Sequence, residues 1–314
     1  TLKVVKTFRV GIGPQHIVPS WDLRTLWVTN NSEGRTDGSL TPIDPRTGKP
    51  GRSVPVDDPY NMYFTPDGKS AIVVAEAHKR LDFRDPKTMA LQYSIEVPGC
   101  PGINHADFAI DGRWAIFTCE FSGTLAKIDL VERKVLGYLK LQMPANRFKE
   151  KTPSGVKPGA LWEPGATEVC TVTRGMPQDI RISPDGKHAV VTHVLSRFHL
   201  PTTQLDRGWM NTNAKTIIDL ARMQVLNTVL LDTIDRGAAS PWGVAWSADS
   251  KTLVVAIAGT HEVSVTDFPA LLDKLAKVAP EAAAPPSAAL SSTRIISPLL
   301  MTPTRSAISS ASSM

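Results

Sequence analysis

A hairpin turn centred on an aspartate recurs along this chain, and no other feature of the sequence restricts the possible folds as strongly. Short β-rich runs lie on both sides of each turn, as a two-stranded hairpin requires. The turn acids are Asp22, Asp67, Asp111, Asp185 and Asp249. A third apolar run follows each hairpin and ends in a second acid, at Asp44, Asp85, Asp129, Asp219 and Asp267. The sequence therefore predicts five copies of one antiparallel unit.

The spacing inside the copies predicts how they assemble. In the second, third and fifth copies the two acids are 18 residues apart, and extra residues are confined to residues 142–169 and 195–213, which we interpret as loops. Units of about 40 residues with three or four strands are typical of propeller blades. We therefore expect an all-β fold, a β-propeller of four-stranded antiparallel blades. An immunoglobulin-like sandwich or several small β domains would fit the constant spacing less well.

The ends of the chain complete this prediction. The propeller is expected over residues 1–268, with residues 3–10 supplying the fourth strand of the last blade and so closing the ring. Residues 269–278 have helical spacing, with Pro269 in the first turn. Residues 279–314 are rich in Ala, Ser and Pro, a composition that predicts disorder.

Parts of the repeat resemble a known family. The matching pieces read TLWVTNN, FTPDGKSAIVVAE and IRISPDGKHAVVTH, and they resemble the YVTN-type β-propeller repeat over about residues 4–267. Residues 176–276 look more particularly like propeller segments of bacterial YVTN proteins associated with cytochrome-c-peroxidase-like domains. The resemblance implies a propeller, commonly of seven blades where five copies are evident here. It is weak for function, because such propellers include binding proteins, lyases and redox partners.

Aligning the copies on the turn acid groups the polar residues. Six residues before it stand His16, Asn61, His105, Asp179 and Gly243, and nine residues after it stand Asn31, Glu76, Glu120, Val194 and Ala258. Strand one lines the channel of a propeller, and strand two returns to the end where strand one began. Both sets should therefore lie at one face, which we call the channel-mouth face. His78 and His193 are expected at its rim, whereas His188 and His261 are expected on the surface.

These residue types suggest several chemistries. His16 and His105 are candidate metal ligands, because imidazole together with carboxylate suits Zn, Cu or Fe, so a divalent transition metal is a candidate cofactor. His105 and Glu120 are also the candidate catalytic pair for acid–base chemistry. The candidate ligand-binding residues are Asn61, Asp179, Glu76, Arg207 and Trp209. The alternative is that the ring is a set of solvated, hydrogen-bonded groups with no ligand.

The loop of residues 195–213 is expected to overhang the channel-mouth face. Arg207 could meet an anionic ligand there, or Asp206 and Arg207 could form a pair that anchors the loop, as Asp235 and Arg236 could elsewhere. Trp209 is a candidate contact for a partner or a ligand. For Trp242 we favour packing between blades over a rim contact.

The cysteines limit the covalent chemistry. Cys100, Cys119 and Cys170 allow at most one disulfide, and we interpret all three as packing residues. No CxxCH motif is present, so the chain has no site for covalent haem attachment.

Charge and hydropathy exclude other functions. A net charge of +5 without a Lys/Arg run gives no support for nucleic-acid binding. No apolar run approaches the roughly 18 residues of a membrane helix. The first ten residues lack the apolar core and cleavage site of a signal peptide. We nevertheless expect a periplasmic or extracellular protein.

The sequence therefore predicts a binding or scaffold module that uses the channel-mouth face, with a protein or a small molecule as its partner. The first alternative is a metal- or haem-linked oxidoreductase, or an accessory to one, with a cytochrome-type redox partner. A less favoured alternative is a metal-dependent lyase that uses His105 and Glu120.

Overall fold

The computed structural model describes residues 3–32, 37–141, 161–162, 175–196, 211–232, 237–278 and 293–296. Across these ranges the chain forms five antiparallel sheets, one after another in sequence, and a single helix. Four sheets have four strands each, and the third sheet has a fifth strand. The prediction of an all-β fold made of four-stranded antiparallel sheets is confirmed.

The first two sheets follow each other without an insertion. The first contains β1 (Pro14–Pro19), β2 (Leu26–Asn30), β3 (Ser39–Ile43) and β4 (Val54–Pro55). The second contains β5 (Pro59–Phe64), β6 (Ala71–Ala75), β7 (Arg80–Arg84) and β8 (Leu91–Glu96).

The remaining three sheets repeat the same strand order. The third contains β9 (Ile103–Phe108), β10 (Trp114–Cys119), β11 (Thr124–Asp129), β12 (Lys134–Lys140) and β13 (Leu161–Trp162). The fourth contains β14 (Gly175–Ile182), β15 (His188–Ser196), β16 (Asn211–Asp219) and β17 (Gln224–Leu230). The fifth contains β18 (Pro241–Trp246), β19 (Thr252–Ile257), β20 (Glu262–Asp267) and β21 (Thr293–Ile296), and helix α1 (Phe268–Leu275) follows β20.

The hairpin turns explain the recurring acid. Asp67 Oδ1 accepts hydrogen bonds from the Thr65 hydroxyl at 2.7 Å and from the Lys69 amide at 3.1 Å. Gly68 takes a φ of 69° between them, a value that glycine adopts without strain. Asp22, Asp185 and Asp249 make the corresponding side-chain contacts in their own turns. The turn acids are therefore structural.

The hydrophobic core lies between consecutive sheets. Strand one of each later sheet packs against the first two strands of the sheet before it. Between the second and third sheets, for example, Ile72 and Phe83 meet Ala106 and Phe117, and each of these side chains is buried. The second, third and fourth sheets thus each pack against a neighbour on both faces, and the strand-one ends are brought together.

The predicted closure of the ring by the N-terminal segment is wrong. Residues 3–10 form no strand, and the side chains of Val4 and Val5 are 87% and 96% exposed. The free edge of β20 has room for one partner, and β21 pairs there instead. Within the described ranges, no packing of similar extent joins the fifth sheet to the first. A closed ring of seven blades is therefore not shown.

The described residues of the C-terminal part form one helix and one short strand. Helix α1 begins after Asp267, whose carboxylate accepts a hydrogen bond from the Ala270 amide at 3.0 Å, and it ends at Leu275, before the predicted end at residue 278. Strand β21 lies inside the segment predicted to be disordered. Residues 279–292 and 297–314 are outside the described ranges. The described helix is not long and apolar enough to cross a membrane.

The cysteine prediction needs a correction. Cys100 and Cys119 form a disulfide between the segment before β9 and the end of β10, and both residues are fully buried. Their Cα atoms are 4.9 Å apart, within the range that a disulfide requires. The return of strand two towards the start of strand one brings them together, which their spacing in sequence does not reveal. Cys170 lies outside the described residues.

Candidate functional site

The backbone is irregular at the same place in every sheet. The pairing of strand one with strand two shifts register near the channel-mouth end of all five sheets. These shifts occur at or beside the residues that stand six and seven positions before the turn acid. Such β-bulges redirect side chains and are frequent next to functional sites. The aligned polar positions of the sequence therefore share one local backbone feature.

A threonine hydroxyl occupies the bulge in three sheets. The amides of His16, His105 and Asp179 donate to the hydroxyls of Thr29, Thr118 and Thr192 at 3.1, 2.9 and 3.3 Å. Thr29 and Thr192 in turn donate to carbonyl oxygens in the next sheet, at Tyr60 (3.0 Å) and Trp242 (2.6 Å). This arrangement was not predicted from the sequence. Its signal is a threonine seven residues after the turn acid.

Four aromatic side chains from different sheets meet at the ends of the first strands. The ring centroids of His16 and His105 are 5.4 Å apart, as the alignment of the copies predicted. His105 also lies 5.8 Å from the Trp242 ring, and His16 lies 5.3 Å from the Tyr60 ring. We call these four residues the axial cluster. It joins the first, second, third and fifth sheets.

The hydrogen bonds around His105 determine which ring nitrogen carries the proton. Asn61 Oδ1 accepts from the Met62 amide at 2.8 Å, and Asn61 Nδ2 donates to the Tyr63 hydroxyl at 2.9 Å, so the amide orientation is fixed. Asn61 Nδ2 then lies 3.4 Å from His105 Nδ1, and the Tyr63 hydroxyl lies 3.5 Å from the same nitrogen. A nitrogen facing two donors must be unprotonated. We therefore assign the His105 proton to Nε2.

Both imidazoles are neutral at neutral pH. Burial lowers the pKa of His105 to about 4, and the positive charges of His16, once it is protonated, and of Arg181 act in the same direction. Burial also lowers the pKa of His16, although its hydrogen bond to the Tyr60 carbonyl, at 2.9 Å, opposes the shift. Within the described residues, the buried His105 Nε2–H has no hydrogen-bond acceptor. His105 is therefore a neutral donor rather than a base at neutral pH.

Among the described hydrogen bonds, none joins His105 to Glu120, the predicted acid–base pair. Glu120 Oε2 accepts a hydrogen bond from Asn104 Nδ2 at 3.0 Å, and the same nitrogen lies 3.4 Å from the Tyr60 hydroxyl. Glu120 thus borders the axial cluster through Asn104, the residue before His105. The catalytic roles of His105 and Glu120 remain predictions.

Asp179 links two sheets. Its carboxylate accepts hydrogen bonds from the amides of Ile180 and Val244, at 2.9 and 3.0 Å, and pairs with Arg181 at 2.9 Å. Burial raises the pKa of Asp179, and Arg181 and these amides oppose that shift. Val244 belongs to the fifth sheet, so Asp179 joins the fourth sheet to the fifth. Asp179 and Asn61 thus make contacts within the protein, and their roles in binding a ligand remain predictions.

The metal-binding prediction has one favourable and one unfavourable feature. His16 donates from Nδ1 to a carbonyl, an arrangement typical of ligating histidines, and this leaves Nε2 unprotonated. His105 has its proton on Nε2, so coordination there would need the other tautomer and would disturb the contacts of Asn61 and Tyr63. Among the described residues, no three His, Cys, Asp or Glu side chains are grouped to hold a metal.

Two histidines lie elsewhere than predicted. His193 is fully buried within β15, where its Nε2 and the Thr216 hydroxyl are 2.7 Å apart, because that strand extends beyond the predicted rim. His188 is half-buried, with its ring 5.2 Å from that of Phe268. Burial lowers the pKa of both residues. Neither residue belongs to the axial cluster.

The other predicted binding residues are only partly placed. Glu76 follows β6 at the channel-mouth face and is half-buried. Arg207 and Trp209 lie outside the described residues, as do Asp206, Asp235 and Arg236. Their predicted roles remain predictions.

Large apolar side chains are exposed at the channel-mouth face. Trp242 is 45% exposed, Phe121 is 54% exposed and Ile12 is 53% exposed. Trp242 differs from the other two because its ring also contacts His105 of the axial cluster. It therefore combines the two predicted alternatives, packing between blades and contact at the rim.

Comparison with known proteins gives one curated relative and several structural neighbours. No protein-family model matches the chain. Hydrazine synthase subunit beta of Kuenenia stuttgartiensis is 30% identical over 95 residues, which is 30% of this chain and 25% of that protein. The match thus spans a quarter of the relative's length.

The structural neighbours share the architecture at low sequence identity. Hydrazine synthase of Kuenenia stuttgartiensis gives a TM-score of 0.53 at 22% identity, covering 89% of this chain and 84% of that one. The periplasmic gluconolactonase of Pseudomonas aeruginosa gives 0.54 at 18%, covering 81% and 66%. Streptogramin B lyase gives 0.51 at 13%, covering 82% and 67%. The chain is therefore built in the manner of β-propeller proteins.

Proposed function

We propose that this chain is a periplasmic or extracellular propeller scaffold of YVTN type that binds a partner protein through its channel-mouth face. The observation that carries the proposal is the position of Trp242. Its indole is 45% exposed and rests against the half-buried imidazole of His105. An aromatic side chain that is both exposed and held in place is a common anchor of protein interfaces.

The surroundings of Trp242 fix its position. Its carbonyl accepts the Thr192 hydroxyl at 2.6 Å, which ties it to the fourth sheet. The indole ring itself contacts His105, whose orientation depends on Asn61 and Tyr63. A partner that covers Trp242 would therefore pay little conformational entropy to order it.

The comparisons support a scaffold role. The curated relative is by name a subunit of an enzyme, and the region of likeness is short. We infer that this chain also belongs to a larger assembly, and a cytochrome-type redox protein is one candidate partner.

The disulfide supports the proposed compartment. Cys100 and Cys119 are bonded, and disulfides persist in oxidising compartments such as the periplasm. The neighbouring gluconolactonase is itself described as periplasmic.

Replacing Trp242 with alanine is expected to weaken partner binding about 30-fold, because truncating a central aromatic anchor typically costs about 2 kcal/mol or more. The wild-type chain would be tagged in its source cells and the co-purifying protein identified. The purified pair would then be titrated by calorimetry.

The matched control is Val131→Ala. Val131 is 59% exposed and follows Asp129, at the end of the sheets opposite the channel-mouth face. Equal loss of affinity in both variants, or an unchanged affinity for Trp242→Ala, would argue against the proposed surface.

Elemental analysis of the purified protein tests the metal-linked alternatives. A stoichiometric transition metal that disappears in His16→Gln and His105→Gln would favour them.

A further inference from the structure

A lysine replaces a leucine in the core between the fourth and fifth sheets. Lys215 pairs across the ladder with Thr192, seven residues after the turn acid. The residues at the same position in the other sheets are Leu40, Leu81, Leu125 and Val263. Lys215 is 0% exposed, as are Leu40 and Leu81. An ammonium-bearing side chain thus stands where the repeat otherwise places a branched apolar one.

The fifth sheet, which faces Lys215, also departs from the repeat at the position that Lys215 contacts. Lys215 Nζ donates to the Thr266 hydroxyl of β20 at 2.7 Å. The position of Thr266 is occupied by Ile43, Ile128 and Ile218 in three of the other sheets and by Arg84 in the second. The fourth and fifth sheets are therefore joined by a polar pair in the middle of an apolar junction.

The other charged groups on the two facing surfaces either pair with groups other than Lys215 or lie towards the ends of the strands. On the fourth sheet they are Arg181, which pairs with Asp179, and His188 and Asp219, which lie next to the turns. Asp232 accepts hydrogen bonds from Asn213 and Ala238. On the fifth sheet Glu262 lies at the opposite end of β20 from Thr266.

Burial changes the protonation behaviour of Lys215. It lowers the pKa of Lys215 to about 7, with no carboxylate among the described residues to oppose the shift. The neutral amine fits the junction, whereas the ammonium would be a buried charge with one hydroxyl partner. Such a charge costs several kcal/mol unless it is paired.

We propose that the Lys215–Thr266 contact is a pH-sensitive latch. It lets the fifth sheet and helix α1 detach from the fourth sheet as the pH falls from alkaline values to neutral. Helix α1 begins two residues after Thr266 and packs with Phe268 and Leu271 into the same junction. Opening the junction would therefore release both elements together.

The direction of the pH dependence follows from linkage. In the open state Lys215 is solvated and has the ordinary lysine pKa of about 10.4. In the closed state it stays neutral down to about pH 7. Between these values the open state binds one more proton, so each unit of acidification favours opening about tenfold. Below about pH 7 both states are protonated and the dependence levels off.

Hydrogen–deuterium exchange of the full chain tests the latch. After correction for the intrinsic exchange rate, peptides from β18 to α1 should open about 50-fold more readily at about pH 7 than at about pH 9. In Lys215→Met, which restores an apolar side chain, this ratio should fall below about threefold. The control is Lys187→Met in the same sheet, whose side chain is 73% exposed and whose removal should leave the ratio unchanged.

Three results would overturn the latch. One is a wild-type ratio near unity, and another is a ratio that persists in Lys215→Met. The third is an equal pH dependence in peptides from β6 and β7, because this would mean that the whole chain unfolds rather than the fifth sheet detaching.

Discussion

Replacing Phe117 with alanine is expected to destabilise the protein by about 4 kcal/mol, because it removes a large buried ring and leaves a cavity. Phe117 is 0% exposed and lies on β10 in the core between the second and third sheets. Its ring packs edge-on against that of Tyr63, with centroids 6.0 Å apart. Tyr63 also accepts the Ala106 amide at 3.0 Å, so the cavity would border one of the hydrogen bonds that joins the two sheets.

Guanidinium denaturation of the purified variants measures this effect. The matched control is Phe121→Ala, in the loop after the same strand, whose side chain is 54% exposed. Its loss should stay under about 1 kcal/mol. Similar losses for the two variants would mean that Phe117 is not in a packed junction between sheets.

Removing the Cys100–Cys119 disulfide is expected to lower the free energy of unfolding by about 3 kcal/mol, because the bond closes the loop between these two residues and so restricts the unfolded chain. Both residues are buried in the same core as Phe117. Cys100→Ala/Cys119→Ala should therefore lower the denaturation midpoint, and treatment of the wild type with a reductant should reproduce the shift.

The control is Cys170→Ala, which leaves the disulfide intact and should retain wild-type sensitivity to the reductant. Thiol titration of the denatured protein provides an independent count. Of the three cysteines, one should react before reduction and all three after it. Three reactive thiols before reduction would show that the disulfide does not form.

The local sequence pattern of each copy predicted most of the architecture. The Asp-Gly turns and the constant spacing between acids determine where strands one to three lie, because their information is local. The same alignment placed His16 and His105 together, since equivalent positions in consecutive sheets converge at the ends of the first strands. It failed for His193, because β15 runs on beyond the end that the other copies suggest.

Other features could not be read from the sequence because they depend on partners far away in the chain. Residues 3–10 were predicted to pair with β20, yet β21 pairs with that edge instead. The disulfide depends on the return of strand two, and the His105 tautomer depends on Asn61 and Tyr63 from the second sheet. The Lys215 substitution was visible as a lysine among leucines, but its meaning required the facing Thr266.

The NMR spectrum of the histidine rings tests the central geometry most directly. Three of the five sheets should bring their first strands close enough for the rings of His16, His105 and Trp242 to touch. Histidine-labelled protein, assigned with His16→Gln and His105→Gln, should then show a nuclear Overhauser effect between the two imidazoles. His105 should carry its proton on Nε2 and titrate near pH 4. Well-folded protein without that signal, and with His105 titrating near pH 6.5 as a solvated histidine does, would contradict the account.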